Sequence, residues 1–446
     1  MQKQENEEKE IVSEIDVSEK IIITKKSFIS KSKEYIEKIG PGIITGAADD
    51  DPSGIATYSQ TGAQYGTRLL WLSAWTFPLM AIIQEMCARI ALVTGRGLAA
   101  NIKKVFSKKI LYVCTILLFI ANTFNIGADI GAMAKAFELI YPKIDFNFLV
   151  VFIGLLVLAL EIIIPYKRYV QYLRWFVLSL LAYIATGLII DMHWASLLKD
   201  TIIPHMSFGK DEIFLITGIL GTTVSPYLFF WQTAEEIEEE IVEGKTSIKE
   251  RKGTNKEEIS KMRKDVWFGM FISNLVMFFI IAVCANTLFI NGINNIGTAD
   301  EAAQALAPLA GNSSMLLFAI GIIGTGLLAI PVLAGSTAYA ISESFGWKEG
   351  LYRKYKSAQS FYWVIIISII IGIIMNFLNI NPVKGLIYAA VLNGIIAPII
   401  LIFIVRISSS KKIMGEHKNN LFTKSLGWII TIFMATTAIA TIYSIF

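Results

Sequence analysis

Histidine and cysteine are scarce, with three of each in 446 residues. Cys87, Cys114 and Cys284 fall inside apolar runs at no metal-ligand spacing, so neither a disulfide framework nor a thiolate metal site is indicated. His193, His205 and His417 fall in predicted loops, which leaves no imidazole relay within an apolar run. Charge is thin as well, at 17% of residues against about 25% in soluble domains. There is no Walker-type loop, hydrolase signature or nucleic-acid motif, and the glycine-rich pieces sit inside apolar runs. No enzyme, no cofactor and no nucleic-acid partner is expected.

Apolar runs of about 20 residues recur along the chain, 54% of residues are hydrophobic and the mean hydropathy is +0.57. This predicts an all-α, polytopic helical membrane protein with about 11 spans. They lie near 41–64, 69–93, 110–139, 147–165, 170–191, 212–232, 266–288, 313–341, 360–379, 385–405 and 425–445. Lys and Arg crowd every second loop: Arg96 to Lys109, Lys167 to Arg174, Lys348 to Lys356 and Arg406 to Lys424. The positive-inside rule then places the N-terminus in the cytoplasm and Phe446 outside. Residues 1–38 lack the cleavage pattern of a secretory signal and read as a charged cytoplasmic tail, with a short amphipathic helix near 21–36. Residues 235–264, with alternating acidic and basic blocks, read as a solvated helical extension of the sixth span.

Two spans are interrupted. The first reads Gly46-Ala47-Ala48-Asp49-Asp50-Asp51-Pro52-Ser53-Gly54, three carboxylates and a proline at membrane depth. A charge there costs about 2.5–3.5 kcal/mol even on lenient insertion scales, so such residues are functional by default. Proline removes a donor and frees carbonyl oxygens, which are tolerated only around protein interior or a water-filled cavity. An oxygen-rich, negative, buried break is where a cation would sit. Asp51-Pro52 alone could be a helix cap followed by a first-turn proline. Three consecutive aspartates go beyond that, yet on a helix at most one of Asp49 and Asp50 should join Asp51. The second break, Gly221-Thr222-Thr223-Val224-Ser225-Pro226-Tyr227, adds hydroxyls and free carbonyls, although Ser and Thr in spans usually bond back to their own helix.

Broken helices five spans apart are the sign of an inverted repeat with the substrate site between its halves. The expectation is a LeuT-like fold of two inverted five-helix repeats plus one extra helix. The segments are 39–192 (first repeat), 193–234 (outer loop and broken sixth span), 235–264 (charged cytoplasmic segment), 265–406 (rest of the second repeat) and 407–446 (loop and last span). Asn274 and Asn286 should hydrogen-bond between helices, and Phe229, Phe230 and Trp231 should pack or anchor at the interface.

Gly40-Pro41-Gly42, Asp51-Pro52-Ser53-Gly54, Gln60-Thr61-Gly62-Ala63-Gln64-Tyr65-Gly66, Leu69-Leu70-Trp71 and the run from Gln84 to Leu98 resemble the NRAMP-family divalent metal transporters. Glu301-Ala302-Ala303 and Leu317-Phe318-Ala319-Ile320-Gly321 continue the resemblance, which spans about 40–405. It implies inward transport of transition-metal ions, usually coupled to protons. The departures matter as much. The family's Asp-Pro-Gly-Asn has Gly54 in place of the Asn, and its Met-Pro-His is Ser225-Pro226-Tyr227 here. Asn125 and Ala128, with Asp129 one position along, stand where the family carries proton-transferring acids. Losing the thioether and keeping oxygen donors suits a hard ion that holds its water, such as Mg²⁺. This pattern resembles the NRAMP-related magnesium transporters.

The candidate ion ligands are therefore Asp51, Gly54, Ala48, Thr222, Ser225 and Tyr227, with Asp50, Asn125, Asp129 and Glu85 as vestibule or proton-path groups. Glu85 could instead pair with Arg89. The expected function is alternating-access transport of Mg²⁺ and Mn²⁺ through a lipid bilayer, without proton coupling. The alternatives are a proton-coupled Mn²⁺/Fe²⁺ importer and a Na⁺-coupled organic-solute symporter on the same fold, whose substrate carboxylate the aspartates would repel.

Overall fold

A computed structural model describes residues 40–164, 181–378 and 380–445. The N-terminal tail and the first half of the fifth expected span, with Lys167, Arg168 and Arg174, lie outside them. The described residues form helices joined by loops, with no strand among them, and nine of these helices are long and apolar enough to cross a membrane. The principal ones are α1 (Pro41–Asp49), α2 (Pro52–Tyr65), α3 (Trp71–Thr94), α4 (Leu98–Val105), α5 (Lys108–Ile140), α6 (Phe146–Ile163) and α7 (Leu181–Ile189). They continue with α8 (Lys210–Thr223), α9 (Pro226–Val242), α10 (Lys256–Cys284), α11 (Ser314–Phe345), α12 (Gln359–Met375), α13 (Pro382–Ser408) and α14 (Leu421–Ile445).

Helix starts follow from local chemistry. Asp145 caps α6 through the Phe148 amide, Asn255 caps α10 in a reciprocal box with Glu258, and Asn381 caps α13. Both expected breaks are present and have one cause. A residue before proline is pushed out of the helical region, and Asp51 (φ −68°, ψ 171°) and Ser225 (φ −78°, ψ 134°) are both extended. Each proline then opens the next helix at its first turn.

The broken pairs sit inside the bundle. α1 and α2 pack along α10, α8 lies against α13, α9 against α3, and α2 meets α8 while α1 meets α9. α5 runs through the centre against α11, α12 and α13. The α1–α10 seam is set by glycine: a Cβ on Gly42 would strike the backbone of Asp265 and Val266, and one on Gly46 would strike the backbone of Gly269. Gly62 on α2 meets the Ile281 carbonyl in the same way. Small residues let helices approach backbone to backbone, which replaces the hydrophobic drive that lipid cannot supply. On the outer surface Phe148, Phe152 and Leu155 of α6 are exposed, as lipid-facing side chains are.

One expectation is corrected. Residues 235–242 are not a solvated extension: Glu235, Glu236 and Glu240 are buried, and Glu238 accepts hydrogen bonds from the Tyr339 hydroxyl (2.5 Å) and the Leu351 amide (2.8 Å). Those bonds tie the end of α9 to α11 and the loop after it. Phe229, Phe230 and Trp231 are internal, so they pack as expected but anchor no interface.

Candidate functional site

The two breaks face each other across the bundle. The Tyr227 hydroxyl of α9 donates to the Ala48 carbonyl of α1 at 3.0 Å, joining two expected site residues from opposite halves. Asp51 acts as the cap of α2, as its position before Pro52 allows: its Oδ1 accepts from the Gly54 amide (2.8 Å) and the Ser53 hydroxyl (2.6 Å). The same carboxylate reaches further. Asn125 of α5 donates to Oδ2 at 2.8 Å and lies 3.5 Å from Asp129 Oδ2, one turn along. Asp51, Asn125 and Asp129 are all buried, so the first break, α5 and α9 converge on one interior region.

The other two aspartates turn to a third helix. Ser273 of α10 donates to Asp49 Oδ2 at 2.6 Å and lies 3.4 Å from Asp50 Oδ1. Both are thus held through one serine of α10, away from the Asn125 that holds Asp51. Asp50 sits between the half-helices, outside the helical spacing that would have splayed the carboxylates. Ser273 carried no sequence signal, because a lone serine in an apolar run is normally spent on its own helix.

At the second break the Ser225 hydroxyl donates to the carbonyls of Gly221 and Thr222, both at 2.7 Å. The Thr222 carbonyl, one of those expected to be free there, thus accepts from the residue standing where the family has Met. Thr222 behaves differently, since its Oγ1 is buried without a hydrogen-bond partner. A Cβ on Gly54 would lie 2.9 Å from that oxygen and 3.4 Å from both the Asp49 carbonyl and Tyr58 Cε2. Gly54 thus lets the two breaks close together. The Tyr58 hydroxyl, absent from the expected site, is buried within electrostatic reach of all three aspartates.

Glu85 does not belong to this region. It pairs with Arg89 (3.1 Å) and Arg263 (3.0 Å), and Arg89 in turn donates to the His417 carbonyl and to Asn419 Oδ1. It is a structural ion pair binding α3 to α10 and to the segment before α14. Asn274 bridges helices as expected, accepting from Thr76 at 3.0 Å, whereas Asn286 bonds back to the Ala282 carbonyl of its own chain segment. Among the described residues no three His, Cys, Asp or Glu side chains form a metal-binding group, so a full shell of charged ligands is not built here. Cavities of about 720 Å³ beside Tyr65 to Arg68 and about 410 Å³ beside Gly95 to Ala100 open at opposite ends of the bundle. Neither is lined by Asp49, Asp50 or Asp51.

Residues 42–444 match the Nramp family, natural resistance-associated macrophage protein-like. The chain belongs to the Nramp family. Membership makes it a multi-pass membrane transporter and not an enzyme. It is 25% identical over 413 residues to the divalent metal cation transporter MntH of Klebsiella pneumoniae, covering 89% of this chain and 92% of that protein. The manganese transporter of Eremococcus coleocola superposes with a TM-score of 0.71 at 17% identity, over 93% of this chain and 88% of that one. Inward-facing Mhp1 follows at 0.52 and 12% identity, over 91% and 90%. These structural likenesses carry the fold, and it is the LeuT-like architecture expected from the paired breaks.

Proposed function

We propose that this Nramp-family protein transports divalent metal ions by alternating access around Asp51, that it accepts Mg²⁺ as well as Mn²⁺, and that transport is not coupled to protons. The observation that supports this reading is the chemistry between the breaks. Asp51, the Ala48 carbonyl, Thr222, Ser225 and Tyr227 offer oxygen only, with Gly54 giving room. Oxygen donors suit Mg and Mn, and Mg²⁺ sheds water reluctantly and keeps several waters when bound. Both oxygens of Asp51 already accept hydrogen bonds, which favours an ion that meets the carboxylate partly through its own waters. The ion is the substrate; the lipid bilayer is the only other partner assigned. Clustered Lys and Arg in alternate loops support a cytoplasmic N-terminus and an external C-terminus.

One observation favours the proton-coupled Mn²⁺/Fe²⁺ alternative. Asp129 is buried on α5 one turn from Asn125, with Oδ1 lacking a partner, as a proton carrier would be. The organic-solute symporter has no such support beyond the shared fold. The deciding experiment is uptake of Mg²⁺, Mn²⁺ and Ca²⁺ into proteoliposomes with lumenal pH recorded. Uptake of Mg²⁺ and Mn²⁺ without acidification is expected. Uptake of Mn²⁺ alone with acidification would sink the reading.

A further inference from the structure

We propose that Tyr58 and Thr222 form a hydroxyl pair that holds the water shell of the transported ion and so favours Mg²⁺ over an ion that binds protein oxygens directly. The inference rests on the divalent-cation reading above and adds a specificity device to it.

Three observations converge. Tyr58 is wholly buried and its hydroxyl has no hydrogen-bond partner. A buried polar group without a partner is costly and uncommon, and phenylalanine would fill the same volume without that cost. Thr222 departs from its neighbours in the same way. Thr57, Thr61 and Thr223 each donate to the carbonyl four residues back, at 2.7, 2.7 and 2.8 Å, while Thr222 Oγ1 does not. The ordinary fate of a threonine in a span therefore does not explain it.

The two hydroxyls come from opposite halves of the fold, Tyr58 from α2 and Thr222 from α8. They lie within reach of one another, yet neither completes a hydrogen bond of good geometry. Gly54 lies beside both, and a Cβ there would press on Thr222 Oγ1 and touch the Tyr58 ring. Asp49 Oδ1, also buried and unpartnered, belongs to the same neighbourhood. Two neighbouring neutral hydroxyls that complete no bond of good geometry to each other are suited to share a third oxygen. Each can accept from a metal-bound water while donating elsewhere. An ion that keeps its inner waters gains from both hydroxyls, and an ion that sheds them does not.

The test uses the full-length protein in lipid nanodiscs, with Mg²⁺ and Mn²⁺ affinities measured calorimetrically for Tyr58→Phe, Thr222→Val and the double variant. Thermal unfolding serves as a control for folding. Either single change should lower Mg²⁺ affinity about tenfold, the worth of one strong hydrogen bond, and leave Mn²⁺ within about threefold. The double variant should be little worse than the singles, because both hydroxyls hold one water. Equal losses for both metals, or unchanged Mg²⁺ affinity in both single variants, would overturn the pair while leaving the transport reading intact. Wild-type protein that binds Mn²⁺ and no Mg²⁺ would remove the magnesium reading and the pair with it.

Discussion

Asn125 on the central helix α5 holds Asp51 at the first break through a 2.8 Å hydrogen bond to Oδ2. The other oxygen is held from within α2 by Ser53 and Gly54, so Asn125 is the donor that arrives from a different helix. A hydrogen bond to an ionised group contributes about 1.5–3 kcal/mol. Asn125→Leu should therefore raise the KM for metal uptake by about tenfold or more while changing the maximal rate less. Flux measured over a range of ion concentrations checks this.

Asp51 serves both as a helix cap and as the proposed ligand, and two substitutions separate these roles. Serine is as good a cap as aspartate but carries no charge. Asp51→Ser should fold like the native protein and transport neither Mg²⁺ nor Mn²⁺, whereas Asp51→Ala should also lose about 1 kcal/mol of stability. Retained uptake in Asp51→Ser would remove the site assignment.

Gly54 and Thr222 are fitted to each other, since a Cβ at 54 falls 2.9 Å from Thr222 Oγ1. Installing the family's Asn at Gly54 and Met at Ser225 should therefore yield an impaired transporter when Thr222 is kept. Adding Thr222→Ala should relieve the contact and shift the Mg²⁺/Mn²⁺ uptake ratio toward Mn²⁺, following the preference of thioether sulfur for softer ions. Competition between the two metals in proteoliposomes reads the shift. Equal activity with and without Thr222→Ala would contradict it.

Glu85 is an ion-pair residue outside the site. Removing one partner of a buried pair costs about 3–5 kcal/mol, because the remaining charge is left uncompensated. Glu85→Ala should lower the melting temperature in detergent markedly, and whatever protein folds should keep the wild-type KM. A changed metal preference would return Glu85 to the transport path.

The loop after α11 carries a pH-dependent element. Burial first, and then the charges of Glu343 and Glu238, push the Glu349 carboxyl from the ordinary 4.5 up to about 9. Between those values the folded protein binds more protons than the unfolded chain, so this group's contribution to stability falls as pH rises through that window. Glu349→Gln should flatten the loss of thermal stability between pH 6 and 9. A slope as steep as that of the native protein would refute this.

How much of this was legible in the sequence depends on distance along the chain. Pro52 and Pro226 act on the residues beside them, so both breaks and the fold built on them could be read directly. The cap made by Asp51 was equally local. The donors Asn125 and Ser273 reach the aspartates from 74 and 224 residues away; alignment with the family marked Asn125, while nothing marked Ser273. Tyr58 resembled any core aromatic until its hydroxyl was seen to lack a partner. The glutamates at 235–240 misled, because charge density reads as solvation unless the helices that bury it are known.

The glycine contacts along α10 bear on how the ion can reach either side. Gly42 and Gly46 fix α1, and Gly62 fixes α2, against one continuous helix that runs past both. α10 is a splint across the first fracture. The half-helices on either side of Asp51 cannot swing apart while it stays straight, whereas at the second break α8 is locked by Gly221 and Gly394 to α13 and α9 lies along α3. Opening to one face or the other is then a motion of the second break against a stiffened first one, or of α1, α2 and α10 travelling together.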